Sequence, residues 1–328
     1  MIDGISIVLC TYNGSARLKP TIEHLADQDL PCLTELVLVD NASTDGSASV
    51  VEDIWQQKGN PYPLVLIHAS EPGLIHARKA GLQAARHGIV IFCDDDNWLQ
   101  TDYLKVIQEL FISIPEAGLI GGQGIGMTDG VFPTWWFDTN RPGNYAVGKQ
   151  LPVSGNADQR GYLWGAGLAG KKDLLLHIFN DDYPFLMVGR KGDKVMSGDD
   201  SEICLSAMMA GSHLYYDERL VYHHFIPLTR LSESYFRHLL DSFSACTEIV
   251  KEYKSALFYS RLSKREILRL FFVRFFNAVR FPKKPGKQRM LRQFISYGLR
   301  IRQSVPQEFK VIYDFGKFSK WGEAFNEA

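Results

Sequence analysis

The 328-residue sequence has no apolar run approaching the ~18 residues needed to span a bilayer, so no membrane-crossing helix is expected. It has almost no net charge: 36 basic and 37 acidic residues leave −1, which exerts no global pull on nucleic acid. Paired cysteine motifs are absent. Cys10, Cys32, Cys93, Cys204 and Cys246 are odd in number, form no CxxC, and mostly sit among apolar neighbours. That pattern excludes a zinc site or a disulfide framework and points to buried thiols in a reducing compartment. The opening MIDGISIVLC lacks a basic stretch before a signal-length apolar core, so a cytoplasmic protein is expected. There is no internal repeat and no long low-complexity tract. What is present, 45% hydrophobic and 22% charged residues, is ordinary for a soluble globular chain, long enough for one large domain with or without an appendage.

The first half alternates two periodicities. ISIVLC, ELVLVD, LVLIH and IVIFC are short apolar runs of strand length, as in strands buried on both faces. Between them lie helical patterns. Pro20 fits a first turn ahead of Ile22, Leu25 and Ala26. Ser47 can cap a helix carrying Val50, Val51, Ile54 and Trp55, and Thr101 one carrying Leu104, Ile107 and Leu110. Leu74 to Arg86 reads as a helix stopped by Gly88. Such alternation predicts an α/β fold with a mostly parallel, Rossmann-like sheet flanked by helices. Residues 121–150, rich in Gly with Pro and aromatics, read as long loops or a loose subdomain. SGDDSEICLSAMMAG reads as a helix with acids at its start and Gly211 at its end. The pattern then turns helical. The expected division is 1–228 (1–122 and 123–228 as halves) and a basic helical region, 229–328.

Open parallel sheets bind ligands beyond the carboxyl ends of their strands. TYNG, DNAS and DDDN each follow a strand, so all three should meet in one crevice. Asp94, Asp95 and Asp96 repel one another, and fold stability does not ask for them. A hard divalent cation, Mg²⁺ or Mn²⁺, prefers such oxygen ligands and completes its shell with phosphates. On a turn, Asp94 and Asp96 can face the crevice while Asp95 points elsewhere. The competing reading is a helix cap or a solvated turn.

SIVLCTYNG, LVLVDNASTDGS, EPGLIHARKAG and IVIFCDDDNWL, in this order and spacing, resemble the family 2 glycosyltransferases over roughly residues 4–230. The resemblance implies the GT-A fold, a nucleoside diphosphate sugar donor (UDP most often), a divalent cation, and transfer with inversion to a hydroxyl of a glycan or lipid-linked acceptor. It implies that Thr11 and Tyr12 line the nucleotide pocket. Asp40 accepts a bond from the base, with Asn41 beside it. Gly73 lets the backbone approach the nucleotide, and Arg78 lies near the base or the phosphates. Asp94 faces the ribose, Asp95 supports it, and Asp96 ligates the metal. The chain departs from the family's habits at Lys79, often Asn, and in VDNAS, often VDDGS, though Asp40 is kept. The family carries an acidic pair, often Glu-Asp, where this chain has Asp199 and Asp200, so Asp200 takes the place of the base that deprotonates the acceptor. Taken alone, both could merely cap a helix.

LWGAGLAGKKDLL resembles the acceptor-shaping segment, which places Trp164, Gly165, Ala166 and Gly167 there; core packing is the other reading for Trp164. Trp135 and Trp136 are either an acceptor platform or an anchor for their loop. The match of HHFIPLTR makes His224 a third metal ligand or a diphosphate contact, with His223 its rival, and Arg230 a phosphate partner. Residues 261–302 are rich in Lys and Arg with one acid, Glu266. Phe271, Phe272, Phe275, Phe276 and Phe281 interleave there with Arg269, Arg274 and Arg280. This stretch could lie peripherally on the inner face of a membrane, pack as a solvated appendage, or form a homodimer. No nucleic-acid module accompanies the charge. The rival functions are a sugar nucleotidyltransferase and a non-catalytic partner in polysaccharide assembly. The first usually has a Gly-rich basic phosphate loop where this chain has TYNGSARLK. Intact Asp94, Asp96 and Asp200 speak against the second.

Overall fold

The four apolar runs form four parallel strands: β1 (Gly4–Thr11), β2 (Leu33–Asp40), β3 (Leu64–His68) and β4 (Ile89–Asp94), in spatial order β3-β2-β1-β4. The computed structural model describes residues 4–137, 141–187, 197–263, 265–267, 269–270, 273, 285–298 and 305–318. Alternate residues of a strand point to opposite faces. Val8, Val37, Val39, Val90 and Phe92 join the core on one face, and Ile5, Ile7, Leu36, Leu38 and Ile91 the core on the other. Helices cover both. α1 (Leu18–Ala26), α2 (Ser47–Gln57) and α4 (Tyr103–Ser113) lie on the second face, while α3 (Leu74–Ala84) packs on the first.

The other half of the sheet is mixed. β5 (Asn97–Leu99), β6 (Ala117–Met127), β7 (Gly155–Asn156), β8 (Ala169–Lys171) and β9 (His213–Phe225) complete a nine-stranded sheet. β8 runs antiparallel between β4 and β6, β6 pairs parallel with β9, and β5 and β7 pair antiparallel with β9. α5 (Lys172–Ile178), α6 (Asp199–Met209) and the 28-residue α7 (Glu233–Ser260) follow, then α8 (Pro285–Gln293) and α9 (Lys310–Phe318).

Several local expectations are corrected. Residues 121–127, read as loop, are the second half of β6, because their glycines serve close packing rather than flexibility. A Cβ on Gly122 would fall 1.9 Å from the Leu220 carbonyl oxygen, and one on Gly124 2.1 Å from that of Ala146. Ser47 opens α2 from inside; the capping position is Gly46 at φ 78°, and the Ser47 hydroxyl instead donates to Asp45 and accepts from the Gly14 N–H. Asp102, not Thr101, precedes α4. α3 ends at Ala84 because Ala85 turns to an extended conformation, short of Gly88.

Of the basic C-terminal stretch, Phe271, Phe272, Phe275, Phe276, Phe281, Arg274 and Arg280 lie outside the described residues, and Arg269 is exposed. Part of the described charge is used internally: Arg292 makes two 2.9 Å bonds to the fully buried Glu252 of α7. No described helix is long and apolar enough to cross a membrane.

Candidate active site

The carboxyl ends of β1, β2 and β4 deliver Thr11, Asn41 and Asp94–Asp96 to one cavity of about 820 Å³. The start of α6 brings Asp199 and Asp200 to it, and the end of β9 brings His224. Tyr12, Gly73 and Trp164 also line it, whereas Asp40, Arg78, Gly165 and Ala166 stand behind its wall.

The three adjacent acids face three different ways. Asp94 Oδ1 lies 3.4 Å from Nη2 of Arg78. Asp95 accepts from the Thr11 hydroxyl at 2.6 Å and from Nε and Nη2 of Arg17, each at 2.7 Å, so both its oxygens are spent within the protein. Burial and the nearby Asp96 push the Asp95 pKa up to about 6, against the pull of Arg17 and Thr11. Asp96 accepts from Arg230 Nη1 at 3.0 Å and from Asn97 Nδ2 at 3.3 Å, with His224 Nε2 3.7 Å away.

At the ends of β1 and β2, Tyr12 is 47% exposed and Thr11 is committed to Asp95. Asp40 accepts from the Ser43 N–H at 3.1 Å and lies 3.5 Å from His68. Asn41 braces the following loop. Its amide donates to the carbonyls of Glu71 (2.7 Å) and Ala69 (3.3 Å), and its oxygen accepts from the Gly73 N–H (2.8 Å). Gly73, at φ 140°, needs the freedom of a residue without Cβ.

Arg78 is committed within the protein. Its side chain, 3% exposed, bridges Asp94 to Asp199, with Nη1 2.8 Å from Asp199 Oδ2, and its guanidinium lies 5.3 Å over Phe92. Gly165 makes room for it: a Cβ there would stand 2.9 Å from Arg78 Nη2. The room beside Gly165 is therefore occupied by an arginine from α3, and that beside Gly167 by the Tyr103 hydroxyl of α4.

Asp199 and Asp200 open α6, where the helix dipole favours negative charge. Asp200 accepts from the Ser201 N–H at 2.7 Å and also from that of Gly165. It is half-buried, yet its surroundings strip it of water. That desolvation, with Asp199 adjacent, pushes its pKa up to about 7, while Ser201, Arg78 and Gly165 pull the other way.

His224 enters the cavity and His223 does not, because neighbours on a strand point to opposite faces. His223 packs with Trp98 and His24 instead. The Nδ1 of His224 lies 2.7 Å from the Tyr145 carbonyl oxygen, which can only accept, so Nδ1 carries the hydrogen. In the neutral ring Nε2 is then a bare lone pair, facing a carboxylate oxygen of Asp96 at 3.7 Å. Two acceptors so placed call for a proton or a cation between them. Among the described residues no cluster of three or more His, Cys, Asp or Glu forms a complete metal cage. A site that takes its remaining ligands from phosphate oxygens does not need one. The donor set of Asp96 and His224 fits Mg²⁺ or Mn²⁺.

The family model described as "Glycosyl transferase family 2" matches residues 6–163, which includes the strand ends and Asp94–Asp96. Residues 6–163 are a family 2 glycosyltransferase domain. It is similar to the putative glycosyltransferase EpsH of Bacillus subtilis, 28% identical over 31% of this chain and 28% of that protein. It is also similar to the glucosyl-dolichyl phosphate glucuronosyltransferase of Haloferax volcanii, 23% identical over 67% of this chain and 68% of that one. Thus the chain spans little more than a quarter of the first relative's length and about two thirds of the second's. In fold it resembles residues 1–349 of S. aureus TarS solved with UDP-GlcNAc, with TM-score 0.55, 17% identity, and coverage of 99% of this chain and 92% of that one. It likewise resembles the mannosyltransferase PcManGT of Pyrobaculum calidifontis solved with GDP-Man and Mn²⁺, with TM-score 0.53, 17% identity, and coverage of 99% and 88%.

The cavity has a second wall that sequence reasoning missed. Tyr235, Leu239, Phe243, Val250 and Lys254 of α7 line it, as do Asn144 and Tyr145. The helical character of this stretch was visible, but nothing local said which surface it covers. Arg17, the partner of Asp95, was also missed; its signal is an arginine six residues after the strand-ending Thr11, on the same side as the acids. Trp164 is buried, with its N–H of the backbone bonded to Gln150 and Arg160 stacked 5.4 Å over its ring, and its edge reaches the cavity. Trp135 and Trp136 pack with Phe132, Tyr145 and Phe236, which is the anchoring arrangement.

Proposed function

We propose that this chain is an inverting, divalent-cation-dependent glycosyltransferase. It moves a sugar from a nucleoside diphosphate sugar, UDP-linked first among the candidates, to a hydroxyl of a glycan or lipid-linked acceptor. The observation that carries this reading is Asp200: a carboxylate with its pKa raised to about 7, in the same cavity as Asp94, Asp96 and His224. A base so tuned stays half-ionised near neutrality while holding a proton better than an ordinary carboxylate. Its carboxylate takes the acceptor's hydroxyl proton as that oxygen bonds to the anomeric carbon. The bond from that carbon to the diphosphate breaks on the opposite face, its electron pair leaves with the phosphate, and the configuration inverts. A cation held by Asp96 and His224 would offset the charge growing on the leaving diphosphate. Arg230, beside Asp96, adds a second positive charge there. Asp94 is assigned to the ribose side, and Asn41 with Gly73 shapes the loop that meets the nucleotide. Trp164 and α7 form the acceptor side.

The test is a pair of variants. Asp200→Asn should retain donor binding, read as the thermal shift given by nucleotide sugars with Mn²⁺, and lose transfer. Asp96→Ala should lose the metal-dependent part of that shift. Transfer by Asp200→Asn at the wild-type rate would refute the base assignment.

A further inference from the structure

Tyr145 belongs to no motif. It closes a short 3₁₀ turn, Pro142–Tyr145, between β6 and β7. Its hydroxyl donates to the carbonyl oxygen of Arg230 at 2.9 Å, and its own carbonyl accepts from Nδ1 of His224 at 2.7 Å. Those two partners are the groups that flank Asp96: Arg230 Nη1 lies 3.0 Å from one carboxylate oxygen and His224 Nε2 3.7 Å from the other. The four residues close a ring.

The keystone of that ring is itself held firmly. The Tyr145 side chain is buried and packs at 5.4 Å from the Trp136 ring and 6.2 Å from that of Phe236. The next residue, Ala146, sits at φ 55°, a left-handed conformation uncommon for a residue with Cβ. Its carbonyl is pinned by the Tyr222 hydroxyl at 2.8 Å. Local strain of this kind persists only where the surroundings enforce it, and it clusters at functional sites.

We propose that Tyr145 is a positioning residue for the cation site. Its carbonyl fixes the ring tautomer of His224 so that Nε2 presents a lone pair. Its hydroxyl fixes the turn that carries Arg230, which bonds Oδ2 of Asp96, while Oδ1, bonded by Asn97, faces His224. Outer partners of this kind set ligand orientation, and their loss weakens metal binding about 10- to 100-fold. The inference rests on the cation reading above.

Tyr145→Phe removes the hydroxyl and keeps the ring and the carbonyl. Mn²⁺ binding is read by electron paramagnetic resonance of the free ion, with whichever nucleoside diphosphate gives the largest thermal shift. The expected result is an apparent Mn²⁺ affinity weakened roughly tenfold, near the lower end of the range for outer partners. In an Arg230→Gln background the same hydroxyl removal should change nothing further, because its route to Asp96 is gone. A merely structural hydroxyl would move stability and leave this dependence on Arg230 absent. An affinity within twofold of wild type, or an equal loss in both backgrounds, overturns the proposal. Wild-type Mn²⁺ binding that survives Asp96→Ala overturns the cation assignment itself, and this inference with it.

Discussion

Replacing Asp200 by Asn should make the protein more stable as it becomes inactive, and increasingly so with pH. In the folded chain Asp200 has its pKa raised to about 7 by desolvation and by Asp199. In the unfolded chain it returns to about 3.9. Between those values the native state binds a proton that the unfolded state does not, so stability declines as pH rises from about 4 to about 7 and is flat above. Asparagine has no such dependence. Asp95, raised to about 6, contributes its own slope, but both proteins share it and it cancels in the comparison. The unscreened difference between pH 5 and pH 8 would approach about 3 kcal/mol at 1.36 kcal/mol per unit. Asp200 is half-buried, so solvent screening brings the expectation to about 1–2 kcal/mol. The bond from the Ser201 N–H to Oδ1 can survive in the amide oxygen and does not change with pH. Urea unfolding of both proteins at pH 5 and pH 8 measures this directly. The variant's advantage should grow by that amount at the higher pH. A difference that is constant across the range, or that shrinks, would refute the view that Asp200 is held against its own charge.

The ion pairs of Arg78 give a second expectation. Arg78→Met strands Asp94 and Asp199 without their cation, and breaking a buried pair from one side costs about 3–5 kcal/mol. Arg78 also helps hold the Asp200 pKa down, so the acid limb of kcat/KM should move to higher pH in the variant; an unmoved limb would mean that its charge does not reach the base. Asn41→Ala removes the brace on Gly73 and leaves the buried Gly73 N–H without its partner, at about 1–3 kcal/mol if unrelieved, while the Ala69 and Glu71 carbonyls can turn to water. The donor KM should rise about tenfold with kcat nearly kept, whereas a rise confined to the acceptor KM would contradict the placement of this loop.

The sequence was most legible where structure is local. The strands β1 to β4 and their intervening helices follow from apolar runs of the right length, and Ile22, Leu25, Val51 and Trp55 are buried as the periodicity requires. It was least legible where a residue's partner lies far along the chain. Arg78 meets Asp199 across 121 positions, so a motif that announces an arginine says nothing of where its charge is spent. Glycine misled for the same reason. Gly122 and Gly124 signal a loop by composition, but the Leu220 and Ala146 carbonyls that crowd them come from other segments. Tyr145 carried no signal at all, because His224 and Arg230, which it holds, lie about 80 positions further along the chain and meet it only in the fold.

Helix α7 serves two masters. Tyr235, Leu239, Phe243, Val250 and Lys254 give it a face on the cavity, while Glu252 on another face is sealed by Arg292, Gln293 and Tyr297. A chain cut after α7 would unseal that carboxylate in the middle of the helix that walls the cavity. On the proposed reading of α7 as the acceptor wall, acceptor choice can be altered by changes that never touch the acceptor, through the residues that cover Glu252. Anyone grafting a new specificity onto this scaffold would have to exchange α7 and α8 together, as one cassette.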